Sequence, residues 1–508
     1  MRKTGKLKAV AALALVLSFL LAGCAGGTSQ ADGQKTIKWA GTWTVATWDP
    51  VVGGSTRVAL YNALIYDSLV GLDENGKPIP NQAESWEYND EGNAVTFTLR
   101  EGLTFTDGTP VDAAAWKFNL ERAKTQENSQ LKGDFDSIAS VDVIDDQTFR
   151  INLSQTDYQI PILLSVRGGL IASPKAAQDD VKALNLNKPV GSGPFKVESL
   201  VPEAKLTLVK NPEYWDANNI HIDRIEVSFG NEVNSLVPAI QTGTYDFAIG
   251  DVTTIDAAKK AGVDVLADWG YGFSTQFIPI NKNKEPFTDP RVVEAFKAAI
   301  DRQPFVDQLA LGHGTAIDQP YPPFFAPYAK AAEGLNPYDP DKARSLLAEA
   351  GYNTTDKRLS LDFVAMQDQP VNELIQSQLA AVGVDLQIKI DPNWSKSYFA
   401  KDLAITSYGY VGRDSHVQAL TANFAGGPLN LSGPYQSEEF KAALKKARET
   451  PLDSPDYKAN LEAATLAGVQ SNPNIYTYAV PFVYLKNSKI SDLPEVLGQL
   501  SFRGVEIS

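Results

Sequence analysis

The sequence predicts a mixed α/β protein of more than one domain, and three observations carry that expectation. Stretches alternating apolar and polar residues at period two lie between stretches with an apolar stripe at helical spacing. The 508 residues are too many for one hydrophobic core. At 43% hydrophobic and 21% charged residues, the composition is that of an ordinary folded chain.

The N-terminus fixes the compartment first. Arg2, Lys3, Lys6 and Lys8 precede an apolar run over residues 9–21, and Ala22-Gly23-Cys24 follows. A basic stretch, a short apolar run and small residues form the layout of a secretory leader. A membrane-spanning helix needs about 20 apolar residues, whereas this run is shorter and Gly26, Gly27, Thr28 and Ser29 follow it closely. Leu21-Ala22-Gly23-Cys24 resembles the bacterial lipobox, whose cysteine takes a lipid and becomes the first residue of the mature chain. Cys24 is the sole cysteine, so no internal disulfide is available to it. The expectation is a signal peptide over 1–23, then a lipid anchor on Cys24 and a solvated linker over 24–35. That places the protein at the cell membrane, lipid-anchored on its extracytoplasmic side.

The elements then follow in order. Thr36-Ile37-Lys38-Trp39-Ala40 alternates as a first strand. Val95, Phe97 and Leu99 alternate with Thr96, Thr98 and Arg100, and Phe149, Ile151 and Leu153 repeat the scheme. Asp107-Gly108 is a turn signal ahead of a helix over 111–123 that sets Trp116, Leu120 and Ala123 on one side. Further strands are expected over 206–208, 225–229 and 386–390. Asp289-Pro290 and Asp339-Pro340 each place an N-cap before a proline at the first helical position. The stripes behind them are Val292, Phe296 and Ile300, and Ala343, Leu346, Leu347 and Ala350, the second stopped by Gly351.

Several chemistries are excluded. The formal charge of −15 repels nucleic acid. His221, His313 and His416 have no metal-ligand spacing, and no HExxH, Walker or GxSxG motif occurs. Gly191-Ser192-Gly193-Pro194 lacks the Gly-Lys-Ser/Thr ending of a phosphate loop, which leaves a turn entering a strand. Asp73-x-Asn75-Gly76 with Glu84 imitates a calcium loop, but its glycine stands at position four and Lys77 at position five, so a β-turn is expected. No catalytic residue, cofactor or structural metal is expected, and the chain does not look like an enzyme.

Specific strings carry more. YDSLVGLDENGKPIPNQAESW over 66–86 and FTLREGLTFTDGTPVDAAAWKFNLERA over 97–123 are followed by PVGSGPFKV over 189–197 and LVKNPEYWD over 208–216. AIQTGTYDFAI over 239–249, NKNKEPFTDPRVVEAFKAAIDR over 281–302, YDPDKARSLLAEAGY over 338–352 and AAVGVDLQI over 380–388 complete the series. These blocks, in order along nearly the whole mature chain, resemble the family 5 extracellular solute-binding proteins, the dipeptide- and oligopeptide-binding group. The resemblance implies a two-lobed α/β fold of the periplasmic-binding-protein type II kind with an extra small domain in the first lobe. By that analogy lobe I covers 36–73, 190–277 and 478–508, the extra domain 74–189 and lobe II 278–477. It also implies a monomer that closes on a solute, most readily a peptide, and delivers it to the permease and ATPase subunits of an ABC importer. The same role for an oligosaccharide or an anionic metal chelate is the alternative.

Four segments resemble pocket-lining positions: Gly41 to Thr44 backed by Trp48, residues 271–276, Trp394, and Tyr408 to Asp414. From these the expected solute contacts are Thr42, Trp43, Thr44, Phe273, Gln276, Trp394, Tyr410, Gly412, Arg413 and Asp414. In the family's peptide binders a Trp-x-Gly-Asp-like string supplies the carboxylate that meets the peptide amine. Aligned without a gap, Tyr410 stands at that tryptophan and Arg413 at that aspartate. Asp414 comes one residue late, which on an extended segment reverses its direction unless a bulge restores it. No arginine stands at Phe363-Val364-Ala365-Met366, near the family's carboxylate clamp. For an anionic chelate, His416 is a metal contact to weigh against an ordinary surface histidine.

Overall fold

The structure is a computed structural model that describes residues 33–53, 56–352, 358–411, 415–425, 429–433, 436–494 and 500–508. Cys24 and the leader lie outside the described residues, as do Gly412, Arg413 and Asp414. The chain forms a mixed α/β protein of two lobes, the second of which is entered and left through adjacent strands.

Lobe I is built on a seven-stranded sheet. Its order is Asp264–Leu266, Val483–Lys486, Phe247–Gly250, Thr36–Ala40, Arg224–Ser228, Lys205–Lys210 and Phe195–Val201. Thr36–Ala40 runs parallel to both its neighbours, pairing Ile37 with Ile225 and Trp39 with Phe247. Its alternation has the expected cause: Ile37 and Trp39 are buried while Lys38 faces water. Trp39 stacks on Tyr61 at 4.7 Å between ring centroids and meets Phe247 edge-on at 5.1 Å.

The extra domain centres on a four-stranded antiparallel sheet in the order Ala83–Tyr88, Ala94–Leu99, Thr148–Leu153, Ile138–Val143. Val95, Phe97, Leu99, Phe149, Ile151 and Leu153 form its buried face. The helix on that face is Ala113–Thr125, starting two residues later than the stripe predicts because Asp112 is its N-cap, accepting from the Ala115 N–H at 2.8 Å. Trp116 stacks on Phe149, and Phe149 on Phe97, at 6.1 and 5.5 Å.

Lobe II has a four-stranded sheet, Thr315–Ala316, Ile475–Pro481, Phe273–Ile278 and Tyr408–Val411, and a parallel pair, Leu359–Ala365 with Val384–Ile390. Helices Pro290–Ala299 and Pro340–Glu349 begin where the Asp-Pro signals place them. Asp289 accepts from the Arg291 N–H and Asp339 from the Lys342 N–H. Between the lobes the chain passes from Leu266 to Phe273 and returns from Pro481 to Val483. The Phe482 N–H donates to the Gly272 carbonyl at 2.9 Å, tying the two passages together. Gly272 has φ 128, and a Cβ there would stand 2.7 Å from the Phe482 ring, so only glycine fits.

Two sequence features find their reasons here. Asp73 Oδ1 accepts from the N–H groups of Asn75 and Lys77, and Gly76 has φ 74, closing the hairpin of Val70–Leu72 and Pro78–Pro80 as the β-turn expected. Trp215 ties distant segments: its Nε1 donates to Asp67 Oδ2 at 2.9 Å, with the Arg100 and Arg503 guanidiniums 4.2 and 5.0 Å from its ring. Asp67 also accepts from Asn81 and the Ser68 N–H, and burial pushes its carboxyl pKa up despite Arg503.

Gly191 and Gly193 serve a close approach, beyond the turn expected of them. The Gly193 N–H donates to the Ile65 carbonyl at 2.8 Å, and a Cβ on Gly191 would stand 2.3 Å from that oxygen. Backbone yields poorly to such a clash. Gly191→Ala is therefore expected to lower the unfolding free energy by about 3 kcal/mol, the upper end for overpacking, as a shift in the midpoint of a urea titration.

Candidate functional site

In an open α/β sheet the crevice lies outside the carboxyl ends of the parallel strands, where strand order reverses. Here that point is the carboxyl end of Thr36–Ala40, between Arg224–Ser228 and Phe247–Gly250, themselves joined through helix Val233–Gln241 on the way. The loop leaving it is held by backbone: the Gly41 N–H donates to the Ser228 carbonyl and the Asn231 N–H to the Gly41 carbonyl. The Asn231 side chain bonds both of those carbonyls and accepts from the Tyr245 hydroxyl at 3.1 Å. A Cβ on Gly41 would stand 2.6 Å from the Tyr61 hydroxyl. That hydroxyl is buried and has no hydrogen-bond partner among the described residues, and burial raises its pKa. Of the expected contacts, Thr42 and Trp43 are half-buried and Thr44 is exposed. Trp43 packs edge-on against Tyr61 at 6.2 Å.

The expected contacts of lobe II divide by the pleat. Phe273–Ile278 pairs antiparallel with Tyr408–Val411, with Thr275 opposite Tyr410 and Gln276 opposite Gly409. Residues opposite each other share a face. Phe273 and Tyr410 lie on the side packed against Tyr321 and Phe325, both buried, with rings 6.3 Å apart. Gln276 is half-buried on the other side, where a Cβ at Gly409 would meet its amide nitrogen at 2.9 Å. Trp394 belongs to a separate cluster. It is 4% exposed, its Nε1 donates to Thr406 Oγ1 at 2.8 Å, and its ring lies 4.8 Å from Tyr398 and 5.3 Å from Tyr408. Phe273 and Tyr410 are thus brought together, Gln276 lies on the other face of the same strand, Thr42 to Thr44 come from the other lobe, and Trp394 stands apart.

The seam between the lobes contains residues that sequence reasoning missed. Gln159 of the extra domain accepts at Oε1 from the Ser415 hydroxyl at 3.2 Å and the Tyr457 hydroxyl at 2.7 Å. The Tyr158 N–H donates to the Arg448 carbonyl, and Arg448 Nε lies 3.8 Å from the buried Asp157 carboxylate. Leu452 packs on Leu72, Ile162 and Val166. A second bridge joins His313 Nε2 to Asp256 Oδ1 at 2.9 Å. The Gln159 contacts span 256 and 298 residues of sequence, so no local pattern announces them. The one signal available was Ser415-x-x-Gln418, a capping-box pattern at a helix start.

His416 sits at this seam, half-buried, with Nδ1 3.1 Å from the Tyr457 hydroxyl and its ring 5.2 Å from Phe325. The Tyr457 proton goes to Gln159, so His416 Nδ1 is the donor in that contact. Burial lowers its pKa to about 4. Among the described residues no group of three His, Cys, Asp or Glu side chains is placed to hold a metal ion, and no helix is long and apolar enough to cross a membrane.

Comparison with known proteins bears on this arrangement. The family described as "Bacterial extracellular solute-binding proteins, family 5 Middle" matches residues 77–443. The glutathione-binding protein GsiB of Salmonella paratyphi A is 32% identical over 349 residues, 67% of this chain and 67% of that one. Among solved structures, AgaA of A. tumefaciens R10 in complex with agropinic acid superposes with a TM-score of 0.82 at 23% identity, covering 93% of this chain and 99% of that one. The oligopeptide-binding protein AppA of Bacillus subtilis, in complex with a nonapeptide, gives 0.81 at 19% identity, covering 94% and 99%. At these identities the two structures speak for the fold.

The depressed His416 pKa makes stability depend on pH with a definite sign. Between about pH 6.5 and 4 the unfolded chain binds a proton at His416 that the folded chain does not, so stability falls as pH drops through that window. Asp157, raised by burial, acts in the opposite sense. The wild type is therefore expected to lose more stability than His416→Asn between pH 6.5 and 4, read as the difference in urea midpoints at each pH.

Proposed function

The chain belongs to the family 5 bacterial extracellular solute-binding proteins, and from that premise we propose that its solute is a peptide, held between the lobes and released to the permease of an ABC importer. The observation that carries the peptide reading is the position of Tyr408–Val411. Among the described residues it is the edge strand of its sheet, and Ser415, which stands at the interlobe seam, follows Val411 by four positions in the sequence. An extended peptide beside such an edge is bound through main-chain hydrogen bonds, while side-chain pockets add selectivity. Similarity to a glutathione-binding protein points the same way, glutathione being peptide-like. Catalysis is no part of this proposal: the solute leaves as it arrived.

Arg413 supports a second reading. It stands where the family's peptide binders carry an aspartate, and a buried unpaired ion is strongly destabilising, so a cation there favours an anionic solute such as a metal chelate. Oligosaccharides belong to the same alternative.

Calorimetry decides between them. Reduced glutathione or members of a mixed dipeptide-to-nonapeptide library are expected to bind with micromolar or tighter affinity, and binding by none of them ends the peptide reading. Loss of binding on Arg413→Ala with Asp414→Ala unaffected selects the anionic solute, and the reverse pattern selects the peptide amine.

We further propose that the mature protein is a monomer tethered outside the cell membrane by a lipid on Cys24. Support comes from the leader layout and from the sole cysteine standing at its end. Cys24→Ala is expected to move the protein from the membrane fraction to the soluble fraction and to abolish labelling by radioactive palmitate.

A further inference from the structure

The seam holds two buried side-chain amides with unused hydrogen-bonding groups. Gln418 is 8% exposed, and among the described residues neither its Oε1 nor its Nε2 has a partner. Gln159 is 3% exposed; its Oε1 takes the protons of Ser415 and Tyr457, while its Nε2 has no partner among the described residues. Buried polar groups are nearly always satisfied, so each exception asks for a cause.

Gln159 Oε1 and the backbone N–H of Gln418 meet at one atom, the Ser415 hydroxyl oxygen. Ser415 caps helix His416–Phe424, its Oγ accepting from the Gln418 N–H at 3.4 Å and donating to Gln159 across the seam. In a complete capping box the glutamine three residues on turns back to the N-cap N–H. Here that half of the box is not made, and the Gln418 amide is left idle in the first turn. The positive end of the helix dipole lies at the same point and favours oxygen acceptors.

We propose that Gln159, Gln418 and the N-terminus of the His416–Phe424 helix form a subsite for a carboxylate or amide group of the solute. The oxygen of that group meets the two Nε2 donors; when the group is an amide, its N–H meets Gln418 Oε1. One amide comes from each lobe, so the group is gripped from both sides only when the lobes are together. Gln159 and Gln418 are then specificity-determining residues, selecting a planar oxygen-bearing group over a hydroxyl-rich or apolar one. The assignment rests on the solute-binding reading above and deepens it.

Melting curves of the purified chain test it, first without additives and then with reduced glutathione, the peptide library or agropinic acid. Gln418→Leu replaces an idle buried amide with an apolar side chain, so without additives it is expected to melt at or above the wild-type temperature. A fall of more than about 3 °C shows that the protein itself uses the amide and overturns the subsite. Gln159→Glu keeps the acceptor for Ser415 and Tyr457 but turns the idle donor into an acceptor. Any probe that raises the wild-type melting temperature is expected to need at least tenfold more material in both variants; an unchanged requirement in both overturns the proposal. If no probe stabilises the wild type, the readings of the solute fail, while the additive-free melts still decide the subsite.

Discussion

One constraint governs the whole molecule: the chain must pass between the lobes side by side and only there. The Phe482 N–H bonded to the Gly272 carbonyl, with the Phe482 ring filling the space a Cβ would need, makes the two passages a single unit. Relative motion of two lobes so joined is rotation about that unit, the hinge closure known for proteins that enclose a ligand. The crevice at Gly41, the edge strand Tyr408–Val411 and the seam at Gln159 acquire a meaning together because one hinge sets their separation.

Across that hinge the direct connections between the lobes away from the crossing are few and mostly polar. Among the described residues they include Gln159 with Ser415 and Tyr457, Tyr158 and Asp157 with Arg448, His313 with Asp256, Leu452 on a small apolar patch, and Ala310 in the cluster of Val252 and Ile255. Polar bonds exchanged for bonds to water contribute little net free energy. A seam of this kind adds little to the stability of the closed form, so a solute that binds that form more strongly can tip the balance. A large apolar seam would hold the lobes shut whether or not anything lay between them.

What was legible in the sequence was local. Asp112, Asp289 and Asp339 act on N–H groups two or three residues away, so their caps could be read from adjacent letters, as could the alternation of Val95, Phe97 and Leu99. The family strings were equally local. The site was less legible because burial and direction are properties of assembly. Trp394 was expected on the cleft as a loop aromatic, yet its indole N–H is bound to Thr406, twelve residues on. Phe273 and Gln276 were expected together, and the pleat sends them to opposite faces of one strand. Gln159 was never a candidate, because nothing near it in sequence distinguishes it from any other glutamine.

The strand Val483–Lys486 carries a further consequence. It lies between Phe247–Gly250 and Asp264–Leu266 in the lobe I sheet, and among the described residues Asp264–Leu266 has no other neighbour there. Until Val483–Lys486 exists, Asp264–Leu266 has no place in that sheet and the return passage to Gly272 has not been made. The first lobe is therefore finished only after the second has been synthesised. A chain arranged this way cannot complete its first lobe as a separate step, and the two lobes mature together.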